Sequence, residues 1–96
     1  MKIGFIHYRL PKMENPPRKG MPWLPELKVY NQSHPTFEPA HNGGATICRI
    51  LDDEGNIIEG FALCSYADNF CYKRGRDISL GRALKLLSMM EFDENP

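Results

Sequence analysis

The side chains best suited to chemistry lie close together between Tyr66 and Met90, in the run YADNFCYKRGRDISLGRALKLLSMM. Arg74, Arg76 and Arg82 supply forked guanidinium donors, the geometry that grips a phosphate or carboxylate through two parallel hydrogen bonds. Phe70 and Tyr72 alternate with these polar groups, so a planar base has a ring to stack on beside the donors that hold its phosphate. Asp68 and Asn69 can accept and donate hydrogen bonds to ribose hydroxyls or a base edge. Gly75 permits close approach of a ligand, and a helix starting in this stretch offers unbonded backbone N–H groups to an anion. The competing reading is a solvated helix face whose arginines pair with surface carboxylates.

These residues need an element to hold them. Leu80, Ala83, Leu84, Leu87 and Met90 recur at three- and four-residue steps, which predicts an amphipathic helix packed on a sheet, within a helical segment spanning 68–91. Asp68 is placed to cap its start, and Asp77 is a second candidate cap if the helix breaks at Gly75. Were the helix continuous, Arg76 would share the face of Leu80, Ala83 and Leu87, where an unpaired guanidinium is costly to bury. The sequence therefore predicts either a break at Gly75 or an anionic partner for Arg76.

The sheet comes from the earlier chain. Lys2 to Leu10 is rich in β-branched and aromatic residues and reads as a strand covered on both faces, with His7 a packed residue within it. Residues 45–65 read as a β-hairpin, ATICRILDD and IIEGFALCS, turned by Asp53, Glu54, Gly55 and Asn56. His41 to Gly44 reads as the turn that precedes it, since the Gly43–Gly44 pair lacks the remainder of a phosphate-loop motif. Seven of the eight prolines fall between Pro11 and Pro39, which argues against a regular helix there. The expectation is an irregular proline-rich arm over 11–44, with one short strand at Leu27 to Tyr30 and an apolar tip, PWLP, that serves as a subunit contact or a lid. The fold class is thus α+β: a small antiparallel sheet, an N-terminal strand plus a hairpin, packed against a C-terminal helix in one domain over 1–96.

Composition narrows the function. Twelve basic and twelve acidic residues balance, which argues against binding duplex nucleic acid through bulk charge. No apolar run approaches the ~20 residues that a membrane helix needs. Cys48, Cys64 and Cys71 are an odd number at wide spacings, with no signal-peptide pattern ahead of them; they read as reduced thiols of a cytosolic protein, not as a metal site. No cofactor is implied, and no motif places a nucleophile beside a base, so no catalytic residue is assigned.

The order of Cys64, Asp68, Phe70, Arg74, Gly75, Arg76, Ile78, Gly81, Arg82, Ala83 and Leu84 resembles a pattern of small phage-encoded proteins, most nearly the first family of Thoeris anti-defence sponges. The likeness spans roughly 45–87. It implies a non-enzyme, a homo-oligomer in the host cell cytoplasm that holds a cyclic nucleotide signal such as a cyclic ADP-ribose isomer without cleaving it. In that reading Asp68, Asn69, Phe70, Tyr72, Arg74, Arg76 and Arg82 bind the ligand. The alternative is a small phage inhibitor or interaction module that binds a host protein or single-stranded nucleic acid, the former through the PWLP arm. The sequence alone expects Arg76→Ala and Arg82→Ala to abolish nucleotide binding while each variant melts normally, a pair of outcomes that calorimetry and thermal unfolding read separately.

Overall fold

The computed structural model describes residues 1–93. Two helices and three strands follow one another in the order β1 (Lys2–Pro11), α1 (Leu24–Ser33), β2 (Pro39–Leu51), β3 (Ile57–Asn69) and α2 (Tyr72–Asp93). The strands form one antiparallel sheet in the order β1-β2-β3, so the middle of the chain is the middle of the sheet. This is the α+β arrangement expected, with the C-terminal helix on the sheet. The hairpin is longer than the sequence suggested. Its turn is closed by Asp52, whose Oδ1 accepts the backbone N–H of Glu54 (2.9 Å) and of Asn56 (2.8 Å), while Gly55 supplies a φ of 86°.

Period-two alternation sends side chains of β2 into two separate cores. Ala45 and Ile47 join Tyr8, Leu10 and Leu27 under α1, and Cys48 and Ile50 join Ile58 and Ala83 under α2. Ile47, Cys48 and Ile50 are wholly buried, as a strand covered on both faces requires. The first core is confined to one end of its face, because α1 packs on β1. Further along that face Leu51, Ile57, Phe61 and Leu63 are 38–63% exposed, around the cross-strand ion pair of Arg49 and Glu59.

Helix α1 overturns the expectation of an irregular arm with a strand at Leu27 to Tyr30. Pro25 sits in the first turn of α1, where a missing N–H removes no intrahelical bond, and Pro35 comes only after the helix has ended. No proline interrupts the turns between them. Asn31 ties this helix to the sheet: its amide donates to Arg9 O (2.9 Å) while its Oδ1 accepts Arg9 N–H (3.0 Å), so a side chain completes the edge of β1 as a neighbouring strand would.

The second correction concerns α2. It runs unbroken through Gly75, and Arg76 is exposed. The face laid on the sheet is Gly75, Ser79 and Ala83, at four-residue steps, with the larger Ile78, Leu80 and Leu87 flanking it half-buried. A Cβ added at Gly60 of β3 would overlap Ser79 O and the Ala83 backbone nitrogen, and one added at Gly75 would overlap Thr46 Oγ1. Helix and sheet therefore meet backbone to backbone, through small residues. Ser79 is fully buried without cost to its hydroxyl, which donates to Gly75 O (2.7 Å) one turn back. Neither Asp68 nor Asp77 caps the helix: Asp68 lies in β3, and Asp77 lies inside α2, 3.5 Å from Lys73 Nζ.

Because the contact at Gly60 leaves no room, Gly60→Ala is expected to lower unfolding free energy by about 3 kcal/mol in urea titrations. Gly4→Ala, where a Cβ would meet nothing within 4 Å, serves as the control and should stay within about 0.5 kcal/mol of the parent.

Candidate functional site

The residues singled out by the sequence gather where β3 ends and α2 begins, and an irregularity of the sheet puts them there. Asn42 pairs with Asn69 and Gly44 with Cys64, so a single β2 residue, Gly43, faces four residues of β3, 65–68, which loop outward as a wide bulge. The pair Gly43–Gly44, expected to form a turn before the hairpin, instead lies within β2 opposite this bulge, with φ of 78° and 146°. The loop is held by three contacts. Ser65 Oγ donates to Asp68 Oδ2 (2.8 Å), Cys64 Sγ lies 3.3 Å from Asp68 O, and Tyr66 N–H donates to Gly20 O (3.0 Å) in the segment between β1 and α1.

After the bulge the chain is pinned by Phe70 N–H donating to His41 O (2.9 Å). The Phe70 ring then lies directly on Gly44, where a Cβ would come within 2.7 Å of it. Glycine is required at that position both for its φ and for this close approach. Phe70, Tyr72 and His7 meet edge to face, with centroids 4.7–6.0 Å apart.

Arg9 completes the cluster, and nothing in its own neighbourhood of the sequence announces it. Its guanidinium carbon lies 4.5 Å from the Phe70 centroid and 5.3 Å from that of Tyr72. One terminal nitrogen donates to the Tyr72 hydroxyl (2.7 Å) and the other to Ala40 O (2.8 Å). Its Nε is buried without a hydrogen-bond partner among the described residues. His7, on the same face of β1, bonds through Nδ1 to Thr46 Oγ1 (2.9 Å). Burial, with the charges of Arg76 and Arg9 adding to it, holds the His7 imidazole below its ordinary pKa of 6.5.

The seven expected ligand-binding residues are thus divided. Asp68, Asn69, Phe70 and Arg74 line one pocket of ≈ 220 Å³ with Cys64, Cys71 and Met21. Tyr72 meets Arg9 and His7 instead, and Arg76 is near enough to His7 for its charge to act on the imidazole. Arg82 joins neither group: it sits eight residues along α2 from Arg74, ~12 Å at 1.5 Å per residue, and donates to Phe61 O (2.6 Å) of β3. That carbonyl lies on the edge strand of the sheet, so Arg82 has a structural partner. Among the described residues neither Arg74 nor Arg76 pairs with a carboxylate; the one acid nearby on the helix, Asp77, is engaged by Lys73. Arg74 in the Phe70 pocket and Arg76 towards His7 are thus without a carboxylate among the described residues, and a third guanidinium, that of Arg9, lies over the Phe70 ring.

Nothing marks Arg9 in the sequence because the rings it touches, Phe70 and Tyr72, lie more than sixty positions away, whereas His7 is the packed strand residue expected, one ring nitrogen bonded to Thr46. The available signal was strand alternation, which sets His7 and Arg9 on one face of β1 together with Phe5. Among the described residues no three His, Cys, Asp or Glu side chains gather as a metal site, and no helix is long and apolar enough to cross a membrane. No protein-family model, curated protein or solved structure matches the chain.

The lowered pKa of His7 makes stability depend on pH with a definite sign. Near and below pH 6.5 the unfolded chain binds a proton that folded His7 resists, so stability is complete above 6.5 and falls as pH falls. The carboxyls held below their ordinary values, Glu38 by the hydrogen bond from Lys12 and Asp52 by bonds that outweigh its burial, titrate below this window. Urea midpoints should decline from pH 7.5 to 5.5, and His7→Gln should flatten that decline.

Proposed function

We propose that the chain is a non-catalytic binding protein that sequesters a phosphorylated cyclic nucleotide, such as a cyclic ADP-ribose isomer, and so works as a phage anti-defence sponge in the cytoplasm of the host cell. The observation that carries this reading is that Arg74, in the pocket lined by Phe70, and Arg76, whose charge reaches His7, have no carboxylate partners among the described residues. A phosphate neutralises such a pair, and a base finds an aromatic face next to it. Asp68 and Asn69 at the pocket wall suit hydroxyls of a ribose. The residues in this proposed role are Asp68, Asn69, Phe70, Tyr72, Arg74 and Arg76, joined by Arg9; Arg82 is reassigned to holding α2 on β3.

Holding without cleaving fits the surroundings of His7, whose Nδ1 is committed to Thr46 and whose ring is wedged against Phe70 and Tyr72. A pocket of ≈ 220 Å³ is small for a whole dinucleotide, so the proposal includes a homo-oligomer in which a second copy completes the site. The open sheet face around Ile57, Phe61 and Leu63 supports such an assembly. A second reading, an inhibitor that docks on a host protein, draws on Trp23 and Met21, which are 69% and 58% exposed.

Native mass spectrometry with a panel of cyclic ADP-ribose isomers and cyclic oligonucleotides, followed by denaturation and analysis of the released ligand, tests this directly. An unaltered nucleotide released from an oligomer is expected; a processed product, or no uptake at all, would sink the proposal. Arg74→Ala and Arg76→Ala should each weaken binding by about tenfold or more, the scale of a lost charge-assisted hydrogen bond. Arg82→Ala should leave affinity in place and instead cost about 1 kcal/mol of stability.

A further inference from the structure

On the far side of the 65–68 bulge is a groove of ≈ 650 Å³, about three times the volume of the pocket beside Arg74. One wall is the segment between β1 and α1, with Lys12, Met13, Pro17 and Arg18; the other is formed by Asn42 of β2 and Tyr66 of the bulge. That segment is strapped down at both ends. Lys12 N–H donates to Glu38 O (3.2 Å) at its start, and Gly20 O accepts Tyr66 N–H (3.0 Å) at its end. The groove is therefore built from two tethered walls, and its volume falls in the range of ~300–1,000 Å³ typical of small-molecule sites.

Its chemistry is lopsided. Met13, the prolines and the Tyr66 ring make the walls apolar, while every charged side chain in the lining is basic. Lys12 has Glu38 as a partner at 2.6 Å, on an exposed pair, whereas Arg18 has no carboxylate among the described residues. Arg18 is exposed and free to turn onto a bound anion, whereas a cation would be repelled. A flat ring carrying one negative group satisfies both halves of the surface.

We propose that this groove is a binding site for a small aromatic anion, with its ring lying between Tyr66, Met13 and Pro17 and its carboxylate, sulfonate or phosphate held by Arg18 and Lys12. The site is separate from the one beside Arg74. Tyr66 and Ala67 face the groove, while Ser65 and Asp68 of the same bulge face the smaller pocket.

The probe for the test is 1-anilinonaphthalene-8-sulfonate, compared with N-phenyl-1-naphthylamine, which keeps the rings and lacks the charge. Fluorescence titration of the full chain should give one sulfonate dye bound per chain, with the uncharged dye at least about tenfold weaker. Arg18→Ala should weaken the sulfonate dye by about tenfold, Met13→Glu should do so by repulsion, and Arg74→Ala should leave it unchanged. Arg18 and Met13 are both exposed, so the far-UV circular dichroism melts of these variants should match the parent. Equal affinity for the two dyes, indifference to both groove variants, or no binding would overturn the proposal; the first two would assign dye uptake to exposed apolar surface such as Trp23.

Discussion

The contact on which the structure depends is the backbone-to-backbone approach of α2 to β3 at Gly60. Only Ser79 and Ala83 face the sheet there, with Gly75 against Thr46 one turn earlier, so the helix cannot ride up on large side chains or roll about its axis without collision. Its position over β3 and β2 is thereby fixed, and the β1 side of the same face is left without a helix. Phe70 and Tyr72, in the short link before α2 and at its first turn, cover that side instead, and this is how Arg9 and His7 acquire aromatic neighbours. Packing and candidate site are consequences of one constraint: a helix held low on two strands forces the connection to roof the third.

Charge is distributed along the molecule in a way that the balanced composition hides. The hairpin turn carries Asp52, Asp53 and Glu54, while Arg9, Arg74 and Arg76 stand at the opposite end of the same strands. Arg9 stands level with Gly44 and Cys64, seven residues along β3 from Ile57, so the two ends are ~23 Å apart and largely screened from one another at physiological salt. An anionic ligand approaching the bulge meets Arg9, Arg74 and Arg76 there, with Asp68 the acid of the pocket wall. Zero net charge still argues against a long polyanion, and it says nothing against a small one.

Much of the fold was legible from the sequence, and the failures share a physical cause. The hairpin, the first strand and the last helix were marked by turn chemistry and by periodicity, both local signals. Helix α1 was hidden because prolines were counted rather than placed: Pro25 in a first turn and Pro35 beyond an end delimit a helix as readily as they forbid one. The buried face of α2 was misjudged because large apolar residues were followed, whereas close approach selects the smallest. The bulge at 65–68 left no mark beyond Gly43–Gly44, whose need for positive φ was read as a turn between strands when it lies inside one. Of the candidate site, Asp68, Asn69, Phe70 and Arg74 were brought together as expected, Arg82 was not, and Arg9 required the register of β1 on β2 to be seen at all.

The order of the strands has a kinetic side as well. β2 and β3 are joined by a five-residue turn and are followed at once by α2, so the hairpin and the helix that lies on it can form from neighbouring chain. β1 reaches the sheet only by closing long loops, with Lys2 opposite Leu51 and Arg9 opposite Gly44. Loop-closure entropy is met before such pairings return any contact energy, so the hairpin can form ahead of the docking of β1. Until β1 arrives, β2 has an open edge, and the newly made chain exposes for that interval the strand that the native fold buries on both faces.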